Sequence, residues 1–310
     1  DSTTFANVSA CELSGQVGGD DVTCSSPDGN FLDKHVGIGK SVLVLSGITL
    51  GGTDAADYEL VSDSDADAAD ITPYTGIIAT ATADDKPYDA TTAATALLSF
   101  GNVFLGDDLT PSGYTSATFD TANVGTNKTV TVLGITGSGA DVGNYTWNTS
   151  DTDLADITAV DAVCTIVGYS DTYDALPHGA TGSCTGVEGV LTGLVLGDSF
   201  TDVPGGTANW SFLNQNYNPE NGSVPIEILA LSLVGSFTAD NKVYDSTTDA
   251  SVLTRSVTGL GLDDVTLTGG TATFDTKNVG NDKTVTLTGA TLGGVDAGNY
   301  SLLSVDTTTA

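Results

Sequence analysis

The chain has 310 residues and carries 8 Lys and Arg against 40 Asp and Glu, so its formal net charge at pH 7 is −32. This sign argues against nucleic acid as a partner, because a protein that binds a phosphate backbone needs a basic face. The length allows two to four domains, and no apolar run approaches the length of a membrane-spanning helix.

The chain begins inside a motif that is complete elsewhere. Asp1-Ser2-Thr3-Thr4 corresponds to the last four residues of two later stretches, Lys86–Thr92 and Lys242–Thr248. The first copy therefore opens without the strand that carries Lys and Tyr in the other two. Either the sequence is cut at this point, or another chain supplies the strand by adding it to a sheet edge.

One longer stretch is repeated three times, at Gly29–Tyr58, Ser116–Tyr145 and Thr271–Tyr300. Its centre, Lys128–Ile135 in the second copy, alternates apolar and polar residues, which predicts a half-buried antiparallel strand. Such repetition of a strand-rich unit is typical of an array of small domains.

Module boundaries follow from breaks in this repeat. A polar run precedes Pro73, and residues 159–230 leave the pattern for short β-rich runs separated by Gly, Pro and Asn. We predict an all-β fold, an elongated tandem array of four small Ig-like β-sandwich modules. The first segment is residues 1–75, the second 76–158, the third 159–230 and the fourth 231–310. In the third segment, Trp210 and Phe212 alternate around Ser211 and are predicted to lie in the core.

Four cysteines form two close pairs, Cys11 with Cys24 and Cys164 with Cys184. Each pair lies within one segment, on either side of a Gly-containing turn, so we predict two local cross-strand disulfides. Disulfides indicate an oxidising compartment outside the cytosol. A zinc site would need clustered thiolates or histidines, and the two histidines lie in different segments.

Adjacent acids recur at one position of the repeat. Such pairs in turns most often cap backbone N–H groups, and calcium is the alternative, because its oxygen ligands suit Asp and Asn. No EF-hand spacing supports the ion. The candidate calcium residues are Asp20, Asp21, Asp107, Asp108, Asp263 and Asp264.

The repeated tyrosines are predicted to pack rather than to bind a ligand. Tyr88 and Tyr244 would pin the first strand of their segments, while Tyr145 and Tyr300 would pin the last, with the hydroxyl reaching a backbone partner. Lys86 and Lys242 are scarce cations in an acidic chain, and each is expected to pair with a neighbouring Asp.

The motifs K-x-Y-D-x-T-T, A-T-F-D-x-x-N-V-G-x-x-K-T-V-T and D-A/V-G-N-Y resemble the YDG repeat of bacterial surface proteins, which recurs in filamentous-haemagglutinin-type adhesins. The third segment, with its Tyr-Asp-x-x-Pro-His and Trp-x-Phe stretches, resembles the MBG modules that accompany those repeats. The resemblance implies a large secreted or surface-anchored β protein whose tandem domains form a stalk or an adhesive array. It brings no catalytic residues.

We therefore expect an extracellular, secreted or surface-attached structural repeat protein, a stalk or filament-forming segment of an adhesin, and not an enzyme. Its expected partners are other copies of itself or further repeats of a longer chain. The alternative is a module that binds carbohydrate or a host surface, with residues 159–230 as the binding domain. The sequence indicates no definite cofactor, and calcium is the one candidate ion.

Overall fold

The computed structural model describes residues 2–310, and Asp1 lies outside the described part. Strands are joined by loops and three short 3-10 turns, and residues 2–310 contain no α-helix. By its contacts the chain divides into two compact units, residues 1–158 and 159–310. The division falls after Thr158, which is also the end of the second segment predicted from the sequence.

The first unit contains fourteen strands and two 3-10 turns, which have the following bounds. In the first segment these are β1 (Phe5–Ala6), β2 (Thr23–Ser25), β3 (Gly29–Phe31), β4 (Gly37–Val44), β5 (Thr49–Gly51), the turn Ala55–Asp57 and β6 (Asp65–Ile71). In the second they are β7 (Ile78–Ala83), β8 (Lys86–Pro87), β9 (Ala96–Gly101), β10 (Thr110–Gly113), β11 (Ser116–Phe119), β12 (Gly125–Leu133), β13 (Thr136–Ser138), the turn Val142–Asn144 and β14 (Ser150–Thr158).

The first two segments share one sheet plan. Each has a four-stranded sheet, in the order β1-β3-β4-β6 and β11-β12-β14-β8, and a two-stranded sheet, β2-β5 and β10-β13. The predicted alternating strand is β12, where Val130 and Val132 are fully buried and Thr129 is exposed. Its counterpart β4 buries Val42 and Val44 in the same way. Period-two alternation thus directs the same side chains inward in both copies.

The second unit contains the remaining strands and one 3-10 turn. In the third segment these are β15 (Val163–Val167), β16 (Tyr169–Thr172), β17 (Thr181–Gly186), β18 (Gly189–Val190), β19 (Leu194–Val195), β20 (Gly205–Asn214) and β21 (Tyr217–Leu229). In the fourth they are β22 (Leu231–Ala239), β23 (Asp249–Ala250), β24 (Val252–Ser256), β25 (Thr266–Phe274), β26 (Thr284–Gly293), the turn Ala297–Asn299, β27 (Tyr300–Val305) and β28 (Thr308–Thr309).

Sheets in the second unit are also small. The third segment has the sheets β16-β21-β20-β19 and β15-β17-β18, and the fourth has β24-β22-β27 and β23-β25-β26-β28. Phe212 is buried as predicted, and Trp210 is half-buried. One apolar cluster includes buried residues of both segments, among them Tyr173, Ile226 and Tyr300. The all-β prediction is confirmed, and its division into four Ig-like sandwiches stays a prediction.

The opening strand of the second segment lies between two neighbours. On one side β7 pairs with β9 along its whole length. On the other side, side-chain oxygens around β14 accept the backbone N–H groups of alternate β7 residues, whose small side chains point inward. These bonds are Ala79 to Asn148 (2.8 Å), Ala81 to Asp151 (2.8 Å) and Ala83 to Asp153 (2.9 Å).

Among residues 2–71 no strand lies along β6 as β7 lies along β14, and β6 borders a groove. Residues 9–14, which correspond to β9, form no strand, and β6, which corresponds to β14, is almost wholly exposed. Asp65 and Asp67 accept instead the N–H groups of the residues that follow them, each at 2.8 Å. The groove, of about 710 Å³, is lined by residues 5–13, by the buried Val42 and Val44, and by residues of β6.

We expect a peptide with the sequence of residues 77–85, IIATATADD, to fill this groove. Its alternate N–H groups would reach the carboxylates of Asp65 and Asp67, and its alanines would cover Val42 and Val44. Binding should raise the melting temperature of the first unit, measured by calorimetry on the full chain.

The matched control peptide carries Glu in place of the two buried alanines, Ala79 and Ala81, and should give no shift. Equal shifts with the two peptides would contradict this assignment of the groove.

Candidate functional site

The three acid pairs lie against the tyrosine that closes each copy of the repeat. The first Asp of each pair accepts a hydrogen bond from the tyrosine hydroxyl, at 2.5 Å in every copy. The bonds are Tyr58 to Asp20, Tyr145 to Asp107 and Tyr300 to Asp263. The hydroxyl of Tyr300 also accepts the N–H of Leu260 (2.8 Å), which is the backbone contact that the sequence predicted. We call the socket of a segment the first acid of the pair, the closing tyrosine, the residue before that tyrosine and the acid three residues before that residue. In the second segment these are Asp107, Tyr145, Asn144 and Asp141.

The second Asp of each pair ties the acid loop to the 3-10 turn. In the second segment the N–H of Asp108 donates to the Asp141 carboxylate (2.8 Å), and the N–H of Asp141 donates to the Asp108 carbonyl (3.1 Å). The Asp108 carboxylate accepts the N–H of Ala140 (3.0 Å). Asp21 with Asp54, and Asp264 with Asp296, repeat this exchange. The second acid of each pair therefore caps backbone N–H groups.

A glycine makes this exchange possible. Gly139 has φ +128°, and a Cβ there would lie 2.1 Å from the Asp108 carbonyl oxygen. Gly52 and Gly294 occupy the same place with the same conflict. Since an L side chain fits neither the conformation nor the space, the glycine before the third acid is required for the two loops to meet.

Within the first unit, the second segment's socket holds a loop of the first segment. Lys34, between β3 and β4, forms an ion pair with Asp107, and its Nζ lies 3.3 Å from Asp141. The N–H of Val36 donates to Oδ1 of Asn144 (3.0 Å), the residue before the closing tyrosine. The Asp107 side chain is only 3 % exposed. We call residues 34–36 the plug of the first segment.

Within the second unit, the fourth segment's socket holds the third segment in a related way. The N–H of Val203 donates to Oδ1 of Asn299 (2.9 Å), and Nδ2 of Asn299 donates to Asp202 (2.9 Å). Tyr173 donates its hydroxyl to Asp263 (2.9 Å), and its ring packs edge-on against Tyr300 with centroids 5.3 Å apart. Asn299 is 5 % exposed, so this contact is closed to solvent.

Burial and hydrogen bonding shift several pKa values in the occupied sockets. Burial raises the pKa of Asp107, but hydrogen bonds from Lys34, Tyr145 and Ser2 outweigh it and bring the pKa down to about 2. The hydrogen bond to Asp107 raises the pKa of Lys34. Burial, with the bond to Asp263, raises the pKa of Tyr173 to about 12. The ionised carboxylate and the neutral phenol are therefore the favoured forms.

The opening signature forms a separate local cluster. Lys86 pairs with Asp89 (2.7 Å) and Lys242 with Asp245 (2.8 Å), as the sequence predicted. The hydrogen bond from the lysine, aided by a backbone N–H, lowers the pKa of each of these two carboxyls to about 2. Tyr88 is buried as predicted, whereas Tyr244 is 55 % exposed. The prediction for Tyr244 is therefore wrong: Tyr88 donates its N–H to Thr158, while residues 240–245 belong to no strand.

No group of three or more His, Cys, Asp or Glu among residues 2–310 is placed to hold a metal ion. The six predicted calcium residues form three separate pairs, each engaged in the hydrogen bonds described above. Calcium stays a prediction.

Both cysteine pairs are bonded. Cys164 and Cys184 face each other across β15 and β17, which is the predicted cross-strand arrangement. Cys11 lies outside any strand and is bonded to Cys24 of β2, so this disulfide is local without being cross-strand. It attaches residues 9–14, which have no strand partner, to the two-stranded sheet β2-β5.

Comparison with known families agrees with this repeated geometry. The family model of the YDG domain matches residues 1–66, 72–153 and 230–310. The chain belongs to the YDG domain family. Each YDG match contains one acid pair and one closing tyrosine, so the socket is common to all three. The third segment lies outside these matches, and its resemblance to MBG modules stays a prediction.

Neither the curated proteins nor the solved structures compared with this YDG chain gave a match. In the described residues, no helix has the length and apolar character needed to cross a membrane.

Replacing Asp107 by Ala should destabilise the first unit by about 2–4 kcal/mol, because the buried hydroxyl of Tyr145 loses its acceptor and the ammonium of Lys34 loses one of its two carboxylate partners. Urea unfolding in a Trp210→Phe background would measure this, since Trp147 then reports on the first unit alone. Asp20→Ala is the matched control: Asp20 has the same place in the first segment but is exposed, so its loss should be smaller. Equal losses would contradict the role of the Lys34 contact.

Acid should weaken the first unit through the same carboxylate. The folded pKa of Asp107, about 2, lies below its usual value of 3.8, so its contribution is present above pH 3.8 and is lost as the pH falls toward 2. The free energy of unfolding, measured between pH 5 and 2, should therefore fall less steeply in Asp107→Asn than in the unchanged chain. If the free energy of unfolding falls equally steeply in the two chains, the lowered pKa of Asp107 is contradicted.

Proposed function

We propose that this chain is an extracellular structural segment, the stalk or filament-forming part of a bacterial surface adhesin built of four small Ig-like modules in tandem. The observation that carries the proposal is that equivalent sockets join two neighbouring segments in each of the two units. In each, the closing tyrosine, its acid partner and the preceding asparagine hold the segment that comes before. Recurrent residues that join neighbouring segments are typical of a structural array of repeats.

The chemistry of the recurrent residues supports a structural role. Their carboxylates cap backbone N–H groups or pair with Lys and Tyr, and these bonds occupy the groups that a catalytic or ligand-binding role would need free. We therefore propose no enzymatic activity. The disulfides and the YDG family are compatible with an extracellular location.

The alternative is a binding module for carbohydrate or a host surface, centred on residues 159–230. Carbohydrate is commonly held against exposed aromatic rings, and the large exposed apolar side chains of this segment are aliphatic instead. Single exposed aliphatic residues are ordinary on protein surfaces. They are Val163, Val167, Leu176, Val187, Val190, Val195, Leu213 and Leu229. The surface of this segment therefore favours the structural role.

Small-angle scattering of the full chain would test the proposal. A stalk should give a maximum dimension well above that of a compact 310-residue protein, and the value should persist in 0.5 M salt, where repulsion between the acids is screened. A compact particle would contradict the stalk. Specific binding on a glycan array that is lost when residues 159–230 are removed would favour the alternative.

A further inference from the structure

One socket and one plug of this chain have residues exposed to solvent. The socket of the first segment is complete in its internal bonds, but Asp20 and Asp57 are exposed. The plug of the fourth segment is the loop Lys277–Val279, which corresponds residue for residue to Lys34–Val36. All three of its residues are exposed, and Val279 is 87 % exposed.

We propose that the fourth segment's plug binds the first segment's socket of a second copy of this chain. The occupied contact in the first unit is the template, because there the same socket positions already hold the same plug positions. Lys277 would take the place of Lys34, between Asp20 and Asp54. The N–H of Val279 would donate to Asp57, which stands where Asn144 stands in the template.

Charge complementarity favours this occupant. In the first segment's socket, the three positions that contact the plug in the template are all carboxylates, Asp20, Asp54 and Asp57. Asp57 stands there in place of the neutral Asn144. Within the described residues Lys277 has no ion-pair partner, whereas Lys34 has two. A lysine plug therefore meets more opposing charge in the first segment's socket than in the occupied one.

The internal geometry of the first segment's socket also matches that of the occupied sockets. In the three sockets the tyrosine-to-acid bond has the same length, 2.5 Å, and the second acid makes the same exchange with the 3-10 turn. The first segment's socket therefore has the same internal hydrogen bonds as the occupied sockets, and this preorganisation favours binding of a plug.

A contact of this kind is heterologous, since the surface used on one copy differs from the surface used on the other. Heterologous contacts that do not close into a ring propagate into a filament. The contact rests on one ion pair and one backbone hydrogen bond, so each link is weak and association depends on concentration. The inference deepens the proposed function and rests on it.

Disulfide trapping tests the contact directly. In the template, Nδ1 of His35 lies 3.2 Å from Nδ2 of Asn144, and the corresponding residues are Asn278 and Asp57. Chains carrying Asn278→Cys are mixed with chains carrying Asp57→Cys and oxidised mildly at low salt. We expect a mixed dimer in several-fold excess over either symmetric dimer.

Two controls make the outcome decisive. Adding Lys277→Glu to the Asn278→Cys chain should remove the excess, whereas Lys277→Arg should keep most of it. Replacing the Asp57→Cys partner by Ser62→Cys, an exposed site whose side chain bonds to Ser64 and not to the socket, should give only the background of random collisions. A mixed dimer no more abundant than this background, or one unaffected by Lys277→Glu, would overturn the proposal.

The unchanged chain supplies a second measurement. Sedimentation velocity should show mass increasing with concentration, and Lys277→Glu should abolish the increase. An extended monomer in scattering with no self-association would refute this inference and leave the stalk intact, while a compact monomer would refute the stalk whatever its association.

Discussion

The hydrogen bond from the closing tyrosine to the first acid of each pair is the interaction on which the repeats depend. It gives the hydroxyl proton of the tyrosine an acceptor, and it fixes a carboxylate at the surface that contacts the preceding segment. In the second segment that carboxylate accepts Lys34, and in the fourth the corresponding carboxylate accepts Tyr173. One bond inside a segment thereby sets the geometry of a contact between segments.

Several of the chain's many carboxylates have a structural role. A charge of −32 would serve as a solubilising coat if its carboxylates were merely solvated. Instead, Asp151 and Asp153 accept the backbone N–H groups of a strand that has no sheet partner on that side, and Asp108 caps a loop. Along that strand, the carboxylates accept the backbone N–H groups that the carbonyl groups of a neighbouring strand would otherwise accept. Asp suits this task because its short side chain reaches the adjacent backbone without ordering a long one.

The sequence predicted what depends on local pattern. Alternation around Val130 indicated a half-buried strand, and the spacing of Cys164 and Cys184 indicated a cross-strand disulfide. It missed what depends on residues far apart in the chain. Lys34 gave no signal, because its partners Asp107 and Asp141 lie 73 and 107 positions away, and the corresponding position of the second segment is an Ala. Tyr244 differs from Tyr88 for a similar reason: Tyr88 donates its N–H to Thr158 at the end of the distant strand β14, while residues 240–245 belong to no strand.

The asparagine before each closing tyrosine has one further consequence, for glycosylation. Asn144-Tyr145-Thr146 and Asn299-Tyr300-Ser301 fit the acceptor sequence for N-linked sugars. The amide nitrogen that would carry the sugar on Asn299 donates to Asp202, and the side chain is enclosed. A glycan there and a closed contact between the third and fourth segments exclude each other. A sugar attached to Asn299 before the third and fourth segments pack together would therefore keep that contact open. The acceptor sites at Asn7, Asn127, Asn209 and Asn221 are exposed and can carry glycans without this conflict.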